Sequence, residues 1–220
     1  FAPDVIHAHD FTSQFLAALA TIHGSRAPVV ATLHGGHVRL SPLKTGLYLR
    51  MLRRSDRVVC VAESQVPILE RQLGKAGSIV HIPYGVDTAP FAATEAGVGV
   101  RSKLGIATES PVVVMVARFE HPKDQDGLVA AAQQITGRFP RCQFIFVGEG
   151  ARHSIIKSSV SALSIADAFH FVTGTTEARE ILSAADVCVL PSFHEGLPIC
   201  ILEYMAAAKP IVAADVGGVR

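Results

Sequence analysis

The stretch that decides the fold is VVVMVARFEHPKDQDGLVAAAQQITG, residues 112–137. It begins with a run of apolar, mostly β-branched residues, which predicts a strand buried on both faces. Pro122 keeps the following loop extended and delays the helical pattern until about Asp124. A buried strand, a loop and a helix form the repeating unit of a parallel α/β sheet.

Similar units lie on both sides of this stretch. Strand patterns occur at 4–9, 29–34, 57–62 and 79–85 before it, and at 143–148, 169–174, 186–192 and 210–215 after it. Helical patterns separate them, at 11–24, 41–55 and 63–74 and then at 125–137, 153–163, 175–185 and 198–208. The less hydrophobic passage at 88–102 indicates a junction. We therefore predict an α/β fold of two Rossmann-like, doubly wound domains, residues 1–92 and 93–220.

Composition excludes several classes of protein. The 220 residues are 49% hydrophobic and carry a formal net charge of +1, which argues against a disordered chain and against a nucleic-acid-binding protein. The longest apolar segment is interrupted by charges and a proline, so we predict no membrane span. The four cysteines stand singly among apolar neighbours, which favours free thiols in a reducing, cytoplasmic compartment.

Two loops carry the residues with the clearest chemical potential. Ligands of parallel sheets bind beyond the carboxyl ends of the strands, and Arg118 and Lys123 follow such a strand. They suit a phosphate clamp, although a pair of solvated loop charges is the alternative. In HEGLPICILEYM, residues 194–205, Glu195 precedes a predicted helix and Glu203 lies about one and a half turns inside it. The alternatives are a charge that complements the helix dipole and an exposed helix residue.

The turn between these glutamates is predicted to present backbone N–H groups as hydrogen-bond donors. Pro198 suits the first position of a helix, so the backbone near Gly196 and Leu197 would present unpaired N–H groups to hydroxyls or to an anion. A second glycine-containing loop, GEGARH at 148–153, resembles a dinucleotide loop, but His153 stands where the third glycine belongs. The prediction of a nicotinamide site is therefore weak, whereas a looser nucleotide contact stays open.

Histidines invite a metal hypothesis that we reject. His7 and His9 alternate on one strand, and His34 and His37 flank two glycines, but no carboxylate or thiol completes a ligand set at a suitable spacing. His34 remains a site candidate because Gly35 leaves it open toward the cleft. Separately, the basic segment 39–57 could rest on anionic lipid, but a helix that packs on the sheet with a cationic outer face is favoured.

Taken in order, the motifs resemble those of the family-4 retaining glycosyltransferases, which have the GT-B architecture of two Rossmann-like domains. The matching motifs are DVIHAHD (4–10), VVATLHGG (29–36), IVHIPYGVD (79–87), VARFEHPKDQDGLVAAA (116–132), FIFVGEG (144–150) and AADVCVLPSFHEGLPICILEYMAAAKPIVAADVGG (184–218). Glu195 and Glu203 would be the family's E-x7-E pair. The family's opening strands and closing helices are absent, so we expect a fragment with an incomplete N-terminal domain, and the exposed sheet edge puts its activity in isolation in doubt.

The resemblance implies a hexosyltransferase that moves a sugar from a UDP-, GDP- or ADP-sugar to an acceptor with retention of configuration. Arg118 and Lys123 would hold the diphosphate, so that neither a metal nor another cofactor is needed. Glu195 and the backbone of 196–198 would bind the sugar, and Glu203 the ribose. The residues implied at the base are Gly148, Gly150, Thr173 and Gly174. His34, beside Gly35, would face the donor sugar, and His9 the acceptor.

Several functions remain open at this point. The acceptor could be a glycan, a lipid or a small molecule, and contact with the inner membrane surface stays possible. The alternatives are a sugar-nucleotide epimerase of the same fold, a synthase acting on sucrose-type acceptors, and a nucleotide-binding module without catalysis. A nicotinamide oxidoreductase rests on the GEG sequence alone.

Overall fold

A computed structural model describes residues 2–35, 42–75, 77–91, 96–174 and 178–219. The chain divides into two units. The first comprises Phe1–Tyr84, Glu195–Leu197 and Gly217–Arg220, and the second comprises Gly85–His194 and Pro198–Val216. The boundary predicted after residue 92 falls beside residues 92–95, which lie outside the described residues, and it stays a prediction.

The first unit is built on four parallel strands in the order β1-β2-β3-β4. Its elements are β1 (Ile6–His9), α1 (Asp10–Ile22), β2 (Val29–Leu33), α2 (Pro42–Leu52), β3 (Arg57–Cys60), α3 (Val66–Leu73) and β4 (Ile79–His81), with a 3-10 turn at Glu63–Gln65. Leu69 and Leu73 of α3 are buried with Ala31 and Cys60 of the sheet. Helix α3 ends at Gly74, whose left-handed backbone lets its N–H cap the carbonyl of Glu70.

The second unit has five parallel strands in the order β7-β6-β5-β8-β9. Its elements are α4 (Ala96–Lys103), β5 (Val112–Val116), α5 (Gln125–Arg138), β6 (Gln143–Val147), α6 (His153–Ser161), β7 (Phe169–Val172), α7 (Ala178–Ser183), β8 (Val187–Leu190), α8 (Ile199–Ala206) and β9 (Ile211–Ala213). Three further 3-10 turns lie at Ala89–Phe91, His121–Lys123 and Ala166–Ala168. Phe119, Phe144, Phe146 and Tyr204 are fully buried in its core.

The strand prediction and the fold class are confirmed: within the described residues, each of the nine predicted strands is present, inside the predicted range. Two local expectations are wrong. Residues 121–123 form a 3-10 turn instead of an extended loop. Pro198 is the residue that precedes α8 rather than its first helical residue, with φ −74° and ψ 116°.

Helix α4 was missed because it lies inside the predicted junction. Gly97 and Gly99 weaken its helical pattern. The structure supplies the reason for one of them, since a Cβ on Gly97 would lie 2.7 Å from the carbonyl oxygen of Ser183 at the end of α7. Packing on α7, which a single sequence does not reveal, therefore stabilises this helix.

None of the helices in the described ranges is long and apolar enough to cross a membrane. All four cysteines are free thiols. Burial raises the pKa of Cys188 to about 12, so this thiol is a packing group and not a nucleophile.

Candidate functional site

A topological switch point marks the ligand edge of the second sheet. From β5 the chain proceeds to β6 and β7 on one side, and then returns to β8 and β9 on the other. Open α/β sheets bind ligands in the crevice that forms where the strand order reverses. Strands β5 and β6 pair over five residues, whereas β5 and β8 pair only at Val113–Val187 and Val114–Cys188. The two strands thus stop pairing before their carboxyl ends.

Tyr204 of α8 occupies the gap between these strands. Its hydroxyl oxygen accepts a hydrogen bond from the N–H of Val116 at 2.8 Å and lies 3.4 Å from the carbonyl oxygen of Val189. The side chain is completely buried, and burial raises the pKa of Tyr204 well above its ordinary value, so the hydroxyl stays protonated. Our sequence analysis missed this residue, although a tyrosine among the small and apolar residues of α8 was a signal.

The two loops at the switch point are joined by backbone. The N–H of Phe193, which follows β8, donates to the carbonyl oxygen of Pro122, which follows β5, at 2.9 Å. Arg118 and Lys123 therefore belong to a loop that contacts the segment immediately before Glu195. The side chain of Arg118 is 74% exposed and forms an ion pair with Glu120 at 3.0 Å. Lys123 is half-buried.

Two residues that the sequence analysis did not single out shape the 118–123 loop. Gln125 is 2% exposed, and its side-chain N–H donates to the carbonyl oxygen of Arg118 at 2.8 Å. Asp124 has a left-handed backbone with φ 54°, and its carboxylate caps α5 by accepting from the N–H of Gly127 at 3.1 Å. The loop is thus fixed from its carboxyl end.

Gly148 and Gly150 pack against the same loop from the other side. Both have positive φ, and a Cβ on Gly148 would overlap the carbonyl oxygen of Ala117, while one on Gly150 would lie 2.5 Å from that of Phe119. The N–H of Phe119 donates to the carbonyl oxygen of Glu149 at 2.7 Å. The chain's own backbone therefore fills the space beside these glycines.

Glu149 extends this backbone network to the end of β7. Its carboxylate accepts from the N–H of Gly174 at 3.0 Å, and Gly174 has a left-handed backbone with φ 66°. Thr173 precedes it, and residues 175–177 lie outside the described residues. The structure therefore brings Gly148 and Gly150 close to Thr173 and Gly174, with Glu149 joining them. Their role at the base stays a prediction.

The turn at Glu195 is held by a second glycine pair. Glu195 is 7% exposed, and Gly218 donates its N–H to the carbonyl oxygen of Gly196 at 2.6 Å. A Cβ on Gly217 would overlap the carbonyl oxygen of Glu195, and one on Gly196 would lie 2.6 Å from that of His34. Backbone packing therefore excludes side chains at these positions. Leu197 lines a cavity of about 600 Å³ in the first unit, together with Glu63, Ser64, His81 and Pro83.

Glu203 lies in the second turn of α8, in the second unit. Its side chain is half-buried, so the alternative of a fully exposed helix residue is wrong. Burial raises the pKa of Glu203 above its ordinary value. A partly desolvated carboxylate is a strong acceptor for hydroxyl groups.

The carboxyl edge of the first sheet carries ring side chains. His9 is the last residue of β1, and His34 and Gly35 follow β2. His9 Nδ1 lies 2.7 Å from His34 Nε2. Gly36 and His37 lie outside the described residues. Among the residues that the structure describes, no group of three or more His, Cys, Asp or Glu is arranged to hold a metal ion.

The arginines of the basic segment 39–57 have two different roles in the structure. Arg53 donates to the carbonyl oxygens of Leu73 at 3.3 Å and Gln72 at 2.8 Å, so it caps the carboxyl end of α3. Arg50 and Arg54 instead line a groove of about 230 Å³ between α1 and α2. The apolar residues that line it are Phe15, Ala18, Leu19, Ile22, Leu47 and Met51.

Comparisons with known families agree with this geometry. Residues 100–220 match the model for glycosyl transferases group 1, and residues 1–90 match the model for glycosyltransferase family 4. A 2-deoxystreptamine N-acetyl-D-glucosaminyltransferase of Streptomyces fradiae is 33% identical over 239 residues, which cover 99% of this chain and 56% of the relative. A glycogen synthase of Mycobacterium tuberculosis (strain H37Rv) is 30% identical over 231 residues, covering 98% and 53%.

A solved structure shares the fold. The crystal structure of Anabaena Alr3699/HepE in complex with UDP-glucose superposes with a TM-score of 0.87 at 22% identity, over 98% of this chain and 60% of that one. The chain spans about half the length of the curated relatives it matches. Together with the parallel sheets and the Glu195–Glu203 spacing, these matches show that the chain belongs to the family-4 glycosyltransferases of GT-B fold.

Proposed function

We propose that the full-length protein transfers a hexosyl group from a nucleotide-diphosphate sugar to an acceptor hydroxyl, with retention of configuration and without a metal ion. The observation that carries this proposal is the hydrogen bond from Phe193 to Pro122 at the switch point. It joins a loop with two cations to the segment that leads into Glu195. A diphosphate needs cations, and the hydroxyls of a sugar need acceptors such as a carboxylate.

The diphosphate is the part of the donor that Arg118 and Lys123 bind. A planar guanidinium and an ammonium can together neutralise the charge that develops on a leaving phosphate. The Arg118–Glu120 ion pair is exposed, and such pairs are worth about 0–1 kcal/mol. A diphosphate with more charge than one carboxylate therefore displaces Glu120 readily.

The remaining donor contacts come from the neighbouring loops. Glu195 and the backbone of Gly196, Leu197 and Pro198 bind the sugar hydroxyls. Glu203 binds the ribose, and the backbone of 148–150 and 173–174 borders the base. The crystal structures of HepE contain UDP and UDP-glucose, which supports a UDP-sugar as the first donor to test.

His34 and Gly35 face the donor sugar, and His9 faces the acceptor. The S. fradiae relative is named for 2-deoxystreptamine and the M. tuberculosis relative for glycogen, so hydroxyl-rich small molecules and glycans head the list of acceptors. A lipid-linked sugar completes the panel.

The decisive experiment measures sugar transfer by the full-length enzyme from UDP-, GDP- and ADP-glucose to this panel. Arg118→Ala should raise the donor KM and lower kcat, because lost stabilisation of the leaving group costs about 100-fold or more. Arg141→Ala is the matched control, since Arg141 is 70% exposed and its ion pair with Glu109 is long, at 3.8 Å. Equal activity of the two variants would refute the proposal.

An epimerase of the same fold is the main enzymatic alternative. It would convert the sugar nucleotide in the absence of any acceptor, whereas a transferase needs one. Analysis of the products with and without acceptor separates the two. Binding of UDP without either reaction would instead indicate a nucleotide-binding module.

Contact with an anionic membrane surface is a separate proposal. Leu43 of α2 is 85% exposed and Leu47 is 44% exposed, and Arg50 and Arg54 lie beside the apolar groove. Apolar side chains next to cations suit the interface of a bilayer with anionic headgroups. Because Arg53 caps α3, it is unsuitable for the test.

Arg50→Glu combined with Arg54→Glu should reduce co-sedimentation with vesicles that contain phosphatidylserine, and should leave binding to neutral vesicles unchanged. Arg138→Glu at the end of α5 is the control. Binding of the double variant at the level of the control would exclude this face.

A further inference from the structure

Three rings form a hydrogen-bonded chain at the carboxyl edge of the first sheet. His9 Nδ1 meets His34 Nε2 at 2.7 Å, and His34 Nδ1 meets the hydroxyl of Tyr84, which follows β4. The rings of His9 and His34 lie nearly parallel, at 14°, and those of His34 and Tyr84 at 6°. The sequence analysis did not single out Tyr84, because it follows a strand that does not neighbour β2.

Both ring nitrogens of His34 take part in these hydrogen bonds, one with His9 and one with Tyr84. A neutral imidazole has one N–H and one bare nitrogen, so the protons of the three groups can be arranged in two ways. In the first, Tyr84 donates to His34 Nδ1, and His34 Nε2–H donates to His9 Nδ1. In the second, both hydrogen bonds run in the opposite direction. In neither arrangement does the His34 ring offer a nitrogen to a ligand.

The first arrangement is favoured by the chemistry of the phenol. A phenol O–H is a stronger acid than an imidazole N–H, so it is the better donor to a bare ring nitrogen. Burial, and then the negative charge of Asp10, raise the pKa of Tyr84, which keeps this proton on the oxygen. His9 Nδ1 then accepts a hydrogen bond, and the proton of neutral His9 resides on Nε2.

The surroundings of His9 leave that nitrogen accessible. His9 is exposed, and no hydrogen bond from the described residues reaches its Nε2. Its backbone is fixed, because the hydroxyl of Ser13 donates to the carbonyl oxygen of His9, and the next residue, Asp10, is held in a left-handed conformation with φ 62°. Such conformations cost free energy and persist where the surrounding structure imposes them.

A third histidine lies beside these rings. His7 lies 4.1 Å from His9, ring centre to ring centre, and its Nε2 is 2.8 Å from the hydroxyl of Thr32. Burial, then the nearby His9 and His34, lower the pKa of His7. A proton on His9 or His34 would disfavour protonation of His7.

We propose that Tyr84 is a positioning residue which, through His34, fixes His9 as the Nε2–H tautomer, and that His9 donates this N–H to the oxygen of the acceptor hydroxyl. This rests on the proposed function and deepens it. His9 thus orients the acceptor without taking its proton, which is left for a group on the donor side. The edge of the first sheet is therefore a recognition surface for a neutral hydroxyl.

The first test reads the tautomer directly and needs no activity. The full-length protein is labelled with ¹⁵N-histidine, and two-bond ¹⁵N–¹H correlations assign the protonated nitrogen of His9 at pH 8. We expect Nε2–H in the wild type and a mixture of tautomers in Tyr84→Phe. The Nδ1–H tautomer in the wild type, or identical spectra for the two proteins, would overturn the proposal.

The second test uses steady-state kinetics. Tyr84→Phe should raise the acceptor KM roughly 5- to 10-fold, the effect of one misplaced hydrogen bond, with little change in the donor KM. Tyr48→Phe is the control, because the Tyr48 ring on α2 packs on Phe11, and the described residues show no hydrogen bond from it to His9, His34 or Tyr84. An increase in donor KM equal to that in acceptor KM, or no change in either, would contradict a positioning role.

Variants of His9 show whether it acts as a hydrogen-bond donor or as a general base. The side-chain amide of His9→Gln can still donate near the position of Nε2, so it should give a lower acceptor KM than His9→Ala. If His9 were a base, both variants would fail alike. An enzyme that transfers no sugar from any donor would refute the proposed function, and the tautomer measurement would still decide the role of Tyr84.

Discussion

The ligand edges of the two sheets are built by different means. In the second unit, backbone hydrogen bonds and glycines hold the loops: Phe193 to Pro122, Phe119 to Glu149, and the close packing of Gly148 on Ala117. In the first unit, ring side chains reach one another from three strands. An edge fixed by backbone is insensitive to pH, whereas an edge fixed by histidines depends on where the protons are.

At the edge of the second sheet, the largest loss of stability should follow replacement of a glycine. Gly148→Ala puts a Cβ on a residue with φ 141° and against a backbone oxygen, and we expect a loss of roughly 2–5 kcal/mol in the free energy of unfolding. Gly105→Ala is the matched control, since Gly105 also has positive φ but has no atom within 4 Å of the added Cβ. Urea unfolding of both variants measures the difference, and equal losses would show that strain alone, without the collision, explains the effect.

Two of the three tyrosines of the chain sharpen the comparison. Tyr204→Phe leaves the N–H of Val116 buried and unpaired, which costs about 1–3 kcal/mol. Tyr84→Phe should cost less stability, because Tyr84 is only partly buried. Urea unfolding gives the stabilities and steady-state kinetics gives the KM values. We expect Tyr204→Phe to raise the donor KM and Tyr84→Phe the acceptor KM; the reverse pattern would contradict the assignment of the two edges.

A smaller effect is expected at the charged end of the second edge. Glu120→Gln removes the carboxylate that pairs with Arg118, so the donor diphosphate no longer competes with it. Because an exposed ion pair is worth at most about 1 kcal/mol, the donor KM should fall by no more than about fivefold. Glu109→Gln, which removes the partner of Arg141, serves as the control. A higher donor KM in Glu120→Gln would mean that Glu120 helps to orient Arg118.

The smallest effect concerns the pH dependence of the unfolding free energy of the second unit. Burial lowers the pKa of His170, whose Nε2 lies 2.8 Å from the side-chain oxygen of Gln143. The unfolded chain therefore takes up this proton first, and stability falls as the pH drops below the ordinary value of 6.5. His170→Gln should flatten part of the decrease in unfolding free energy between pH 7.5 and pH 5.5. An unchanged slope in His170→Gln would contradict this assignment.

Much of the fold was predictable because buried parallel strands are continuous apolar runs. The strand VVVMV and the loop with Arg118 and Lys123 could be placed from sequence alone. Helix α4 could not, since Gly97 and Gly99 weaken its helical pattern, and only the structure shows that Gly97 packs on α7. Tyr84 was also out of reach, because its partner His34 lies 50 positions away and no periodic pattern links them.

The glycines at 148 and 150 illustrate a different limit. Sequence suggested a nucleotide loop there, and contact with a nucleotide stays a prediction. Which backbone or ligand it approaches is a property of the packed loops. The structure fills that space with residues 117–119, so the same glycine signal can report internal packing as well as a ligand.

The short pairing between β5 and β8 has a consequence for how the second unit opens. Tyr204 replaces the missing ladder at the carboxyl end of this pair. At the other end the N–H of Asp186 donates to the carbonyl oxygen of Val112, and the Asp186 carboxylate accepts from the N–H of Val112 and from Arg101. Strands β5 and β8 are therefore joined in part by the side chains of Tyr204 and Asp186. Solvent or denaturant can displace these side chains without breaking a full strand ladder. Strands β8 and β9 should exchange their amide hydrogens as one cooperative block, ahead of β5 and β6.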